Sequence, residues 1–169
     1  MLKVGLAALD RGEVRVREQV APDDPLWNGA SVDLVRPVDV DLTAREVGEG
    51  VFVRGRLRTA VRLACRRCLA AVEREIDDEV DFLYLPPDEE GDEDAGGEVY
   101  PLPARGDQLD LREAVREQLL LRAPEFALCG EACRGLCPQC GADRNQGECG
   151  CVPEQAPSPW DALKTIEFD

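Results

Sequence analysis

Val51-Phe52-Val53-Arg54-Gly55-Arg56-Leu57-Arg58-Thr59-Ala60-Val61-Arg62-Leu63-Ala64-Cys65-Arg66-Arg67-Cys68 is the stretch whose reading decides the fold. From Val51 to Ala64 the residues alternate: Val51, Val53, Leu57, Val61 and Leu63 fall on one side, and Arg54, Arg56, Arg58 and Arg62 on the other. A period of two belongs to an extended chain, whose successive side chains point to opposite faces, so the segment predicts a long strand with one face against a core. Past Cys68 the alternation resumes, with Val72, Ile76, Val80 and Phe82 on one side and Glu73, Glu75, Asp77, Glu79 and Asp81 on the other. The two runs therefore form a hairpin with a cysteine pair at its tip. If Cys65 stands opposite Cys68, then Arg58 faces Glu75, Arg56 faces Asp77 and Arg54 faces Glu79. Each opposed pair of charges contributes roughly 0.2 to 1 kcal/mol. The arginines thus read as a ladder that sets the register, with an RNA-binding strand as the rival reading.

Working outward, Leu2 to Leu6 and Glu13 to Val20 read as short strands around the turn Asp10-Arg11-Gly12. Ala21 to Gly29 reads as a loop, and Val32 opens an alternation that runs to Leu42 before the turn Val47-Gly48-Glu49-Gly50. On the far side of the hairpin, residues 86–106 carry many acids with Gly and Pro and no face to bury, which predicts an acidic loop. Asp107 or Asp110 then caps a helix over about 110–122, through Leu111, Val115 and Leu119, which Pro124 ends. A short terminal helix is expected around Trp160 to Ile166. The fold class expected is α+β: a mainly antiparallel β domain over 1–128 with one packed helix, then a small cysteine-rich zinc module over 129–169.

The eight cysteines carry the chemistry. Cys137-Pro138-Gln139-Cys140-Gly141 has the form of a zinc knuckle, in which two residues of spacing aim both sulfurs at one ion and glycine relieves the backbone beneath. Cys149 and Cys151 supply two further thiols close by, enough for one tetrahedral site. Cys65, Cys68, Cys129 and Cys133 match a second in number. The competing partition joins Cys65 and Cys68 to Cys137 and Cys140. The chain contains no histidine, so a full site must draw on cysteine or carboxylate. Four thiolates close a zinc site and leave no position for water, which points to a structural ion. Arg66 and Arg67 in the first knuckle, and Arg134 and Arg144 near the second, either offset thiolate charge or contact RNA or another partner.

Composition narrows the classes. With 169 residues, 44% hydrophobic and 33% charged, the chain has the make-up of a globular protein. Its formal net charge of −15 argues against wrapping a phosphate backbone, because that affinity comes from Lys and Arg displacing counterions. Neither a signal peptide nor a run of membrane-spanning length is visible, so a cytoplasmic protein is expected, and there thiols stay reduced. Without histidine no Ser-His-Asp arrangement exists, and no phosphate-cradling glycine loop is visible, so no catalytic residue and no small-molecule substrate are expected.

The order of these elements resembles the bacterial and plastid YceD family. The resemblance rests on Cys65-Arg66-Arg67-Cys68-Leu69 after a strand, on a helix like Leu111 to Leu121, and most of all on the string from Cys129 to Asp143 with Asn145, Cys149 and Cys151 beyond it. Pro159 to Lys164 resembles a divergent form of the family's closing helix. The family is associated with accumulation and processing of large-subunit (23S) ribosomal RNA. The resemblance therefore implies a non-enzymatic ribosome-biogenesis factor carrying one or two structural zinc ions, whose partner is the pre-ribosomal large subunit, its RNA or a ribosomal protein. The rival functions are a thiol-disulfide oxidoreductase using Cys65 and Cys68, whose flanking arginines could lower thiol pKa, and a zinc-responsive regulator.

Overall fold

The structure is a computed structural model that describes residues 1–86, 98–103 and 106–152. The expected terminal helix and most of the acidic segment lie outside those residues. Five strands follow one another in a six-stranded sheet, in the order β2 (Val14–Val20), β4 (Val38–Val47), β5 (Gly50–Ala64), β6 (Ala71–Leu85) and β7 (Glu98–Pro101). The sixth, β3 (Asp33–Leu34), pairs with β5 beyond the start of β4. A separate two-stranded ribbon joins β1 (Lys3–Gly5) to β8 (Gln108–Asp110). The expectation of a mainly β architecture holds. No helix among the described residues is long and apolar enough to cross a membrane.

The alternation in the sequence is realised as a one-sided core. Val38, Val40, Leu42 and Ala44 of β4, Val53, Leu57 and Val61 of β5, and Ile76, Val80 and Phe82 of β6 are buried on one face. Over that face lies α2 (Arg112–Arg122). It buries Ala114, Val115, Gln118 and Leu119, one turn apart, with Leu111 just ahead of them. The helix begins two residues later than expected, where the Asp110 carboxylate accepts from the Arg112 amide at 3.0 Å. It stops at Ala123, ahead of Pro124, since the residue before a proline disfavours helical backbone.

On the opposite face charges alternate from strand to strand. Arg15 of β2 meets Asp41 of β4 at 2.7 Å, Arg56 of β5 meets Asp77 and Glu79 of β6 at 3.0 and 3.2 Å, and Arg58 also reaches Asp77 at 3.0 Å. The Arg15 hydrogen bond holds the Asp41 carboxyl down at about 2. Arg62 pairs with Asp33 and Glu73. Of the hairpin arginines, Arg56, Arg58 and Arg62 are thus paired with carboxylates across the sheet.

Three expectations need correction. The β5–β6 register sets Arg58 opposite Asp77, Arg56 opposite Glu79 and Arg54 opposite Asp81. That is two residues away from the expected pairing, because the knuckle consumes more chain: the Cys65 amide bonds Ala70 O, and pairing starts at Ala64 with Ala71. A shift of two keeps every side chain on its face, so the alternation survives it. Secondly, the first strand stops at Gly5, and Leu6–Leu9 is one turn of helix, α1. Leu and Ala are strong helix formers, and Leu6 and Leu9 at a spacing of three both reach the core. Thirdly, the segment 86–106 is not all loop. Residues Glu98–Pro101 form β7, parallel to β6, where Tyr100 packs against Phe82 and Tyr84 with ring centroids 5.7 and 5.5 Å apart.

Candidate functional site

Both Cys-x-x-Cys turns fold alike. In the first, the Leu69 amide donates to Cys65 O at 2.9 Å and the Cys65 amide to Ala70 O at 2.7 Å; in the second, the Gly141 amide donates to Cys137 O at 2.9 Å and the Cys137 amide to Ala142 O at 2.8 Å. This turn needs left-handed backbone at the residue after the second cysteine. Gly141 supplies it at φ 72° without strain, whereas Leu69 adopts φ 61°, where a side chain costs about 1 to 2 kcal/mol.

The turns gather the thiols into two groups of four. Cys65, Cys68, Cys129 and Cys133 form an inner cluster, and Cys137, Cys140, Cys149 and Cys151 an outer one, the Sγ atoms of each lying within 4.8 Å of one another. The competing partition of Cys65 and Cys68 with Cys137 and Cys140 is not the one the fold assembles. The inner cluster takes two members from each side of residue 128. Three of its thiols, Cys65, Cys68 and Cys133, are buried, and only Cys129 is exposed; in the outer cluster only Cys137 is buried.

Geometry and donor chemistry fit a tetrahedral soft metal. Four sulfurs about 2.3 Å from a zinc ion stand about 3.8 Å apart. Cys65 Sγ lies 3.8 Å from Cys133 Sγ, and Cys68 Sγ 3.6 Å from Cys129 Sγ. Within each cluster the thiols are driven apart in acidity. The Cys68 amide pulls Cys65 down to about 6, and the Cys140 and Gln139 amides pull Cys137 down to about 6. Contact with Cys133 and then Cys68 pushes Cys129 up to about 12, and contact with Cys140 and Cys149 does the same to Cys151. Neighbouring thiolates repel, so a bound cation is what would let all four ionise together.

A frame of hydrogen bonds holds the clusters in relation. The Arg67 guanidinium donates to Glu131 O at 3.2 Å and Cys133 O at 3.0 Å, while its own carbonyl accepts from the Leu136 amide at 2.9 Å. Asn145 donates through Nδ2 to Asp143 at 2.7 Å and to Cys133 Sγ at 3.6 Å, and its Oδ1 accepts from the Arg134 amide at 2.7 Å. Asn145 thereby links the outer loop to an inner thiol. Its position in the string was legible but its role was not, because nothing in the spacing says which way the amide turns. Of the four arginines singled out, Arg67 is committed to backbone carbonyls, and Arg134 meets Glu148 at 3.4 Å. Arg144 fixes its loop through its amide, 2.9 Å from Gly135 O. Arg66 lies over the Phe126 ring, 4.0 Å from its centroid. Phe126 went unnoticed in the sequence, since a lone exposed aromatic carries no periodic signal.

The fold and the site thus define a mainly β protein whose longest hairpin is tied at its tip to a cysteine-built lobe. Residues 53–167 match the family model described as large ribosomal RNA subunit accumulation protein YceD, and the chain belongs to that family. An uncharacterized protein of Mycobacterium tuberculosis is 31% identical over 115 residues, covering 66% of this chain and 53% of its own. Two chloroplastic proteins named large ribosomal RNA subunit accumulation protein YCED homolog 1 also match. The one from Arabidopsis thaliana is 24% identical over 155 residues (77% of this chain, 48% of its own), and the one from Zea mays 28% over 143 (69% and 48%). The chain spans about half the length of these relatives. No solved structure gives a significant match.

Proposed function

We propose that this chain is a non-catalytic factor that supports accumulation and processing of large-subunit ribosomal RNA. In this reading it works in the cytoplasm on the pre-ribosomal large subunit, through its RNA or one of its proteins, with a structural zinc ion in each thiol cluster. The observation that carries it is the pair of closed four-thiol clusters in a chain of a family named for that RNA. A site with all four positions filled by sulfur has no place for an activated water, and its energy goes into holding the chain. Cys65, Cys68, Cys129 and Cys133 would hold the inner ion; Cys137, Cys140, Cys149 and Cys151 would hold the outer one. Arg56, Arg58 and Arg62 of the hairpin are paired with carboxylates across the sheet, which speaks against a broad basic groove and for a contact of limited extent.

The test is depletion of the protein in its own cells, with quantification of mature large-subunit RNA and its precursors, and complementation by the wild-type chain. Lower mature RNA with accumulated precursor is expected. Unchanged levels in cells shown to lack the protein would reject the reading. Elemental analysis of natively purified protein is expected to give two zinc ions per chain, and disulfide reductase activity at the level of buffer.

A further inference from the structure

The two knuckles differ at one residue in a way the fold does not require. Where the second turn has Gly141, the first has Leu69, held in left-handed backbone at φ 61°. Glycine would relieve that strain, and burial does not offset it, because Leu69 is 66% exposed. Strained backbone persists only where the surrounding structure holds it, and such positions cluster at sites of function. Phe126, next to the Ala127 that pairs with this turn, is 62% exposed, with the Arg66 guanidinium stacked on one face. The Arg66 amide donates to Ala127 O at 2.8 Å, and Cys65 bridges to Ala127, so the ring and the turn are held to each other. Among the described residues no acid forms an ion pair with Arg66, unlike Arg62 and Arg134.

We propose that the hairpin tip, where Arg66, Leu69 and Phe126 stand exposed beside the inner cluster, docks a protein segment that presents apolar side chains with a carboxylate among them. It rests on the reading above for where the partner is sought, namely the pre-ribosomal large subunit. An aromatic ring, an arginine and a second large apolar group on backbone that is tied together form the kind of patch that concentrates binding energy between proteins. Charge selects the partner. Arg66 has one cation to offer, Arg67 beside it turns its guanidinium to the Glu131 and Cys133 carbonyls, and a chain of net charge −15 repels an extended run of phosphates. A single carboxylate set among apolar groups matches both the cation and the two exposed hydrophobic side chains.

The experiment uses the full chain in cells depleted of their own copy, with Phe126 replaced by p-benzoylphenylalanine and irradiated. A nuclease-resistant adduct is expected, whose linked peptide contains apolar residues and an Asp or Glu. Arg66→Glu should lower its yield at least tenfold, and replacing the partner's carboxylate with Lys should restore it. Leu69→Gly should leave the melting temperature unchanged or higher while the yield falls several-fold. An RNA adduct, no adduct, indifference to Arg66→Glu, or failure of the charge exchange to restore the yield would overturn the proposal. A lower melting temperature in Leu69→Gly would do so as well. Ribosomal RNA measured in the same cells separates the two failures. If depletion lowers it and Arg66→Glu restores it fully, the docking surface falls alone; if depletion changes nothing, the assembly role falls while the adduct still decides the surface.

Discussion

Removal of Cys133 by substitution with serine tests how much of the fold hangs on the inner cluster. That cluster joins Cys65 to Cys133 and Cys68 to Cys129, which are 68 and 61 residues apart in the chain. Treated as a cross-link that restricts the unfolded chain, closure of a loop that long is worth about 4 kcal/mol. The same relation gives about 3 kcal/mol for the short loop between Cys140 and Cys149, and that stabilisation stays within the outer segment. Domains of this size have only about 5 to 15 kcal/mol in hand. Cys133→Ser should therefore lower the main thermal transition by about 8 to 16 °C. Calorimetry of zinc-loaded wild type, Cys133→Ser and Cys140→Ser, paired with amide exchange, reads the difference. Each variant should lose one zinc. In Cys133→Ser the amides of Arg66 and Leu136, which tie the tip to the lobe, should exchange faster. In Cys140→Ser the main transition should stay within about 2 °C of wild type, since the cross-link lost there does not span the core. Equal drops in both variants, or no drop in Cys133→Ser, would refute the reasoning.

Gly55→Ala should cost about 3 kcal/mol in chemical denaturation, since an added Cβ would sit 2.0 Å from Asp41 O in the neighbouring strand and force the centre of the sheet apart. Arg67→Leu should weaken zinc at the inner cluster by about 10- to 100-fold in a chelator competition while the outer cluster keeps its affinity, because two hydrogen bonds that place the Cys133 segment are lost. The only tyrosines, Tyr84 and Tyr100, are both pushed above the ordinary value of 10.0, Tyr100 to about 12, chiefly by burial. The neutral ring is the form the fold favours, so this contribution to stability is full below pH 10 and is lost as pH rises toward 12. Absorbance of tyrosinate at about 295 nm should accordingly stay low at pH 10; half-ionisation there would contradict the packing of β7 on β6.

Much of the fold was legible because the β5 and β6 runs bury one face, and alternation then names most of the inward residues, from Val53 and Leu57 to Val80 and Phe82, though not the buried Thr59 and Tyr84. The register was not, since it depends on how many residues the knuckle consumes, which a spacing of two between cysteines does not state. The strand Glu98–Pro101 was hidden because its stabilisation is tertiary: Tyr100 against Phe82 and Tyr84, with acids around it that read as solvated loop. The ribbon of Lys3–Gly5 with Gln108–Asp110 joins segments too far apart for local pattern to pair. Among the cysteines, the outer group was readable because its four thiols lie close in the chain. The inner group needed the hairpin tip to meet Cys129 and Cys133, and sequence left its partition open.

Building the inner cluster from two distant stretches sets a timetable for synthesis of the chain. At about 5 to 20 residues per second, Cys129 follows Cys68 out of the ribosome only after some 3 to 12 seconds. During that interval the hairpin carries a half-built site, two thiols whose remaining partners do not yet exist. The outer group, by contrast, is completed within one short stretch of nascent chain. The last-made cluster can thus close by itself, while the first-made pair must wait, open to oxidation or to the wrong metal, for the rest of the molecule to arrive.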